Sequence, residues 1–375
     1  MLNMLYIFVF VFMFAQSCYG MIDVEWNKHV IKIIEMDALT PPLVSRSLSI
    51  LYKSMLETYL ETAQITDNEL YREYAVNGAA DEVVKKLFPS HNITVRYPIN
   101  DFKTYKLFKR YNKVGVNRAK YILKGRDVDT TFFNSSEISI KKEIGKWYGT
   151  PLLPRFGELE PVVINSTKKY LMPSPPKMTD YYLRKSYSET FRVGEKNSNE
   201  RTDDQTESAF FWEAGKGTCT PPGVWNLVAQ KMVEDKHNLL DRLYVFSTLN
   251  DALFDTAISV WYNKYYYNTW RPNMVFNKTD APWEPLLKTP PFPEYGSGHS
   301  AFSGAGSEVL TSFFGKKQFS LTLKNVTRKF DSFYDAAYEA GRSRVYGGIH
   351  FEFSNIPFIN MGMRIAREVL RERKN

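Results

Sequence analysis

Apolar residues recur at helical spacing over most of this chain. In DRLYVFSTLNDALFDTAISVWYNK, Phe246, Leu249, Leu253, Ala257 and Trp261 fall on one stripe with Lys264 next along it, which predicts a long amphipathic helix. DSFYDAAYEAGRSR predicts a helix that stops near Gly341. PFINMGMRIAREVLRERK predicts a terminal helix, with Pro357 in its first turn and basic residues in its last. Residues 26–75 carry the same period, broken at Thr40-Pro41-Pro42, and TPPGVWNLVAQKMV at 220–233 predicts another helix. EYGSGHSAFSGAGSEVL, residues 294–310, predicts a helix of small residues that begins about Ser297. Prolines cluster between Trp147 and Pro176, which predicts looped or extended chain wrapping a core. GEKNSNERTDDQTES at 194–208 predicts a polar, mobile loop. The pattern is that of an all-α protein, one mainly helical domain over residues 21–375 with irregular Pro-rich connections.

The 375 residues, 43% of them hydrophobic, suffice for a large core. Residues 1–20 carry no charge and have an apolar run from Leu5 to Ala15, short for a bilayer span. With Cys18 and Gly20 at its end, the segment predicts a cleaved secretory signal. The rest holds no stretch apolar enough to span a membrane, so no transmembrane span is expected in the mature chain. Five Asn-x-Ser/Thr sites, at Asn92, Asn134, Asn165, Asn277 and Asn325, suit a glycosylated, secreted protein. Signal removal leaves Cys219 alone and without a disulfide partner, read as a small, partly buried side chain rather than a nucleophile. Much of the net charge of +8 sits between Lys103 and Arg126, read as a solvated helix face and not as a nucleic-acid site.

Three blocks carry the candidate chemistry. They are Lys264-x6-Arg271-Pro272, Ser297-Gly298-His299 and Ser343-Arg344-x5-His350. Singly, each has a plain reading: a surface lysine, a helix end, a hydrogen-bonded core histidine. Together they offer three cations, a hydroxyl, a glycine amide at a helix start and two imidazoles. Arginine presents a planar fork to two oxygens, lysine a point charge, and a helix N-terminus favours negative charge. That inventory suits a tetrahedral oxyanion.

The order K-x6-RP, SGH, SR-x5-H resembles the signature shared by vanadium-dependent haloperoxidases and the type-2 phosphatidic acid phosphatase superfamily. GTCTPPGVWN, WYNKYYYNTWRP, PPFPEYGSGHSAFSGAGSEVL and EAGRSRVYGGIHFEF are similar to the haloperoxidase branch. The resemblance implies a helical-bundle core of the haloperoxidase/acid phosphatase type. It implies vanadate as cofactor, held by Lys264, Arg271, Ser297, Gly298 and Arg344, with His350 as the ligand to the metal. His299 would be the acid–base residue, Lys264 would polarise bound peroxide, and Trp261 and Phe292 would flank the halide. Read without the resemblance, those two aromatics suit a core equally well. The implied reaction is oxidation of halide by hydrogen peroxide, with an organic acceptor for the product. The alternatives are a phosphate-ester hydrolase using a phosphohistidine at His350, and a non-catalytic anion-binding protein.

Three positions depart from the branch. Gly296 stands where proline usually precedes Ser-Gly-His. Ser354 stands where an aspartate usually follows the histidine by four residues. Ala214 precedes Gly215 where an acid is usual, with Glu213 one residue off. Serine orients an imidazole less firmly than a carboxylate does, so weaker anion binding is expected, and aspartate at 354 is expected to tighten it.

Overall fold

Helices make up nearly all the regular structure of the computed structural model, which describes residues 21–91, 93, 95, 101–133, 140, 142–177, 179–277 and 282–374. Residues 1–20, read above as a secretory signal, and the sites at Asn92 and Asn134 lie outside the described residues. The chain divides into two units. One comprises the described residues of Met1–Ile33, Ile50–Lys124 and Val233–Tyr244, and the other Ile34–Ser49, Gly125–Met232 and Val245–Asn375.

The helices are α1 (Ile22–Met36), α2 (Pro41–Ala63), α3 (Glu69–Leu87), α4 (Phe102–Gly125), α5 (Tyr181–Val193), α6 (Asp203–Phe211), α7 (Thr220–Met232), α8 (Leu239–Tyr267), α9 (Pro272–Phe276), α10 (Gly298–Phe314), α11 (Phe333–Tyr346) and α12 (Ile356–Glu372). A hairpin, β1 (Phe319–Leu323) and β2 (Val326–Phe330), pairs Phe319 with Phe330 and Leu323 with Val326. The break at Thr40-Pro41-Pro42 and the helix after Thr220 fall where the sequence predicts them.

In the first unit α3 and α4 approach backbone to backbone. A Cβ on Gly78 would lie 2.2 Å from the Asn112 carbonyl, and one on Gly115 would lie 1.8 Å from that of Ala75. The opposite side of α4 turns Lys106, Lys109, Arg110, Lys113, Lys120 and Lys124 to solvent, so the basic run is a one-sided helix face. Arg242 clamps the buried Asp23 carboxylate with three hydrogen bonds of 2.8–3.0 Å.

In the second unit α8 is buried on every side from Val245 to Trp261, not along one stripe. Its polar residues explain this. Asp255 accepts the amides of Val162, Val163 and Ile164, and Asn263 accepts the Met172 amide and donates to the Tyr170 carbonyl. The Pro-rich connection is thereby fastened along the helix. Within the polar stretch 194–208, Thr202 and Gln205 form a reciprocal cap that starts α6. The helix predicted to stop near Gly341 continues to Tyr346. Gly341 serves packing there, since a Cβ would lie 1.9 Å from Asn355 Oδ1.

The small residues of α10 allow close helix contact. A Cβ on Gly304 would lie 2.1 Å from the Ile359 carbonyl of α12, one on Gly306 2.4 Å from the Trp225 ring of α7, and one on Gly362 2.0 Å from the Ala301 carbonyl. α10 is thus locked between α7 and α12, which fixes where its N-terminus points.

Candidate active site

Ser297 caps α10, its hydroxyl accepting the Ser300 amide at 3.3 Å, so Gly298 and His299 form the first turn. Both are half-buried. A Cβ on Gly298 would meet nothing closer than Phe302 and Trp261 at 3.8 Å, so protein packing does not require glycine there. The residue leaves room at the positive end of the helix dipole.

Around this end the fold gathers the cations. Lys264, Arg271 and Arg344 are each at most 1% exposed. Lys264 Nζ donates to the carbonyls of Pro293, Glu294 and Gly296. Three acceptors call for three N–H groups, which only the ammonium form has. Burial, then Arg271, pulls its pKa well below the usual lysine value, and Glu294 opposes them. Arg271 gives Nε to the Phe292 carbonyl at 2.8 Å and Nη1 to the Ile349 carbonyl at 2.7 Å. Arg344 gives Nη2 to the Ala209 carbonyl at 2.9 Å and Nε to Ser343 Oγ at 3.0 Å. Burial lowers Arg271 to about 10 and Arg344 to about 9.

His350 lies 3.0 Å by Nε2 from Arg271 Nη1, and 2.9 Å by Nδ1 from Glu294 Oε1. Burial, then Arg271 and Lys264, holds its pKa well below the ordinary range. His299 places Nε2 3.2 Å from the Glu213 carbonyl, which can only accept, so Nδ1 is its basic nitrogen. Burial, then Arg344, holds its pKa well below the ordinary range too. The two imidazoles are near enough for the charge of one to act on the other. The structure therefore brings together all seven predicted cradle and acid–base residues: Lys264, Arg271, Ser297, Gly298, His299, Arg344 and His350. Trp261 and Phe292 pack against each other beside them, tilted by 52° with ring centroids 5.2 Å apart, and Phe292 lies under both Lys264 Nζ (4.9 Å) and the Arg271 guanidinium (4.8 Å).

The residue the sequence reading missed is Glu294, which is fully buried. Its Oε1 accepts His350 Nδ1 and the Phe351 amide (3.0 Å), and its Oε2 accepts the Ser354 hydroxyl at 2.7 Å. Burial raises its pKa, while Ser354, Phe351, Arg271 and Lys264 act against that rise. The one available signal was an acid inside an otherwise apolar PPFPEY entry, three residues before Ser297. Ser354 is therefore a partner of the acid next to His350, not a poor substitute for one. Gly296 also has a packing cause, since a Cβ would lie 2.0 Å from the ring of Phe358, itself fully buried. Glu213 turns its carboxylate out to Lys324 and its carbonyl in toward His299 and Arg344.

The arrangement fits an oxyanion. Lys264 and Arg271 act on the one buried carboxylate, Glu294, while Arg344 feels the half-exposed Glu213. Buried positive charge therefore exceeds buried negative charge here, and like charges repel strongly where the dielectric is low. Arg271 Nη2 is buried without a hydrogen-bond partner. The described residues contain no group of three His, Cys, Asp or Glu suited to a bare metal ion. A metal that brings its own oxygens asks instead for cations and one imidazole, the set gathered here.

Comparison with known proteins agrees. Residues 275–375 match the sequence model of the VCPO second helical-bundle domain. The vanadium chloroperoxidase of Curvularia inaequalis is 21% identical over 226 residues, covering 42% of this chain and 37% of that protein, so the match spans little more than a third of the relative's length. The structure of a bacterial vanadium-dependent iodoperoxidase superimposes with a TM-score of 0.79 at 24% identity, over 93% of this chain and 95% of the other. That of a bacterial vanadium-dependent chloroperoxidase in its apo form gives 0.68 at 14% identity, over 91% and 95%. The chain shares their helical-bundle fold, and the resemblance to vanadium haloperoxidases read from the sequence is borne out.

Proposed function

We propose that the protein is a secreted vanadium-dependent haloperoxidase that holds vanadate in this cradle and oxidises halide with hydrogen peroxide. The observation that carries the reading is the buried excess of positive charge around His350 Nε2, with Arg271 Nη2 left unpartnered. Bound vanadate would supply Lewis acidity and a template for peroxide without changing oxidation state. The residues that would hold it are Arg271, Arg344, Ser297, the Gly298 amide and His350. The cations are fixed before substrate arrives, so no reorganisation is needed to stabilise developing charge. His299, its Nε2–H given to the Glu213 carbonyl, would take the peroxide proton on Nδ1. Lys264 contributes its field and ties down the segment 293–296, because its three N–H groups are spent on carbonyls there. Trp261 and Phe292 exclude water on the side where halide would approach, and an organic acceptor would take the oxidised halogen. The iodoperoxidase among the structural relatives makes iodide the first halide to test. The exposed Asn165, Asn277 and Asn325 are consistent with glycosylation on a secretory route.

Phosphate has the same tetrahedral shape, and His350 Nε2 could attack phosphorus. One paired assay separates the readings. Residues 21–375 are dialysed free of phosphate and loaded with vanadate, then tested for peroxide-dependent iodination and bromination of a phenolic dye. The vanadate-free protein is tested for hydrolysis of an aryl phosphate. Halogenation is expected. Hydrolysis alone would assign the site to phosphate esters, and neither activity in folded protein would overturn the enzymatic reading.

A further inference from the structure

We propose that Glu294 is the positioning residue that fixes the tautomer of His350, with Ser354 as its clamp. Arg271 can only donate, so its Nη1 at 3.0 Å requires Nε2 of His350 to carry a lone pair. The ring proton is then on Nδ1, where Glu294 Oε1 accepts it at 2.9 Å. The carboxylate cannot turn away. The Phe351 amide holds Oε1, the Ser354 hydroxyl holds Oε2, and the Glu294 carbonyl accepts from Lys264 Nζ. Each neighbour of the carboxylate donates, which is the environment of an ionised acid. Glu294 therefore does two things at once. It aims Nε2 at the cationic cluster and increases the electron density on that nitrogen, as a carboxylate behind a ligand imidazole does. It is also the only carboxylate among the described residues in contact with the ring.

This assignment rests on the haloperoxidase reading for what His350 binds, but not for how the ring is protonated. It reverses the effect expected of aspartate at position 354. A carboxylate introduced there would sit where Ser354 Oγ now lies, 2.7 Å from Glu294 Oε2, and two buried carboxylates at that distance do not both ionise.

The test has two independent arms. In the first, protein carrying 15N-labelled histidine is examined by long-range 1H–15N correlation, with the His350 signals identified by their loss in H350N. Protonation at Nδ1 is expected in the wild type, and a mixture of tautomers in E294Q. An Nε2-protonated ring in the wild type, or an unchanged tautomer in E294Q, overturns the proposal whether or not the protein binds vanadate. In the second arm, orthovanadate is titrated calorimetrically. Dissociation constants are expected to rise at least tenfold for E294Q and for S354D, and to return to within about threefold of wild type for E294A/S354D, which supplies the one carboxylate from position 354 instead. Tighter binding by S354D, or wild-type binding by E294Q, overturns the proposal. Failure of the wild type to bind vanadate would remove the haloperoxidase reading and leave the tautomer arm to decide on Glu294.

Discussion

Replacing Gly304 with alanine sets two known effects against each other. Alanine in mid-helix is worth about 1 kcal/mol over glycine. At this position, however, the new Cβ would lie 2.1 Å from the Ile359 carbonyl, where ordinary contact begins near 3.4 Å. α10 and α12 would have to part by about 1.3 Å, and the obstacle is backbone in a buried helix, which cannot swing aside. Overpacking of this kind costs about 1–3 kcal/mol, and a backbone obstacle belongs at the upper end, so a net loss of about 1–2 kcal/mol is expected. Gly125, at the end of α4, has nothing within 4 Å of its would-be Cβ, so G125A should be neutral or slightly stabilising. Urea denaturation midpoints of the two variants and the wild type measure the difference. G304A should also lose halogenation beyond its loss of folded protein, because α10 carries Ser297, Gly298 and His299 at its start, and a displacement of about 1 Å can cost about a hundredfold in rate. A G304A protein as stable as the wild type would refute the close approach of the two helices.

Three further outcomes follow from particular side chains. R271A should weaken orthovanadate binding about ten- to a hundredfold, the worth of one or two charge-assisted hydrogen bonds, with R271K intermediate; an unchanged calorimetric Kd would place the anion elsewhere. Burial and then Glu69 raise Glu73 to about 7, with Arg242 opposing and Asp23 adding to the rise, so the folded state keeps a proton that the unfolded state has lost once the pH exceeds about 4.3. Stability from this group therefore falls as pH rises from about 4.3 to 7, and E73Q should exceed wild type by on the order of 1–2 kcal/mol at pH 8, discounted for partial exposure, with no advantage at pH 4 in urea titrations. Cys219 is buried and its thiol is pushed up to about 12, first by burial and then by Glu35, so residues 21–375 should not react with a thiol reagent at pH 8 until denaturant is added.

The helices were legible because their period is local. α12 with Pro357 in its first turn, α7 after Thr220 and the Ser297 start of α10 all follow from residues within a few positions of one another. What could not be read is what a residue meets across the fold. Gly341 carries the composition of a helix stop, yet it is a contact point for Asn355. The stripe on α8 is real, but Asp255 and Asn263 lie off it and are buried all the same, because they hold the Pro-rich connection. The hairpin β1–β2 is only five residues a side and left no distinct period.

The site divides along the same line. Its cations and imidazoles are recognisable as an ordered set of blocks, because an oxyanion requires those groups whatever surrounds them. Its counter-charge is not, because the acid that faces His350 needs only to be near it in space. Glu294 lies 56 residues before the histidine, on the segment that Lys264 ties down through three carbonyls. Lysine, glutamate and histidine thus form one mechanical chain: the cation fixes the backbone, the backbone fixes the carboxylate, and the carboxylate fixes the ring. In such a chain a single motif position, such as Ser354, cannot be judged from its own chemistry. Its hydroxyl is a weak partner for an imidazole but a good clamp for a carboxylate, and which of the two it serves is decided by a residue on another segment.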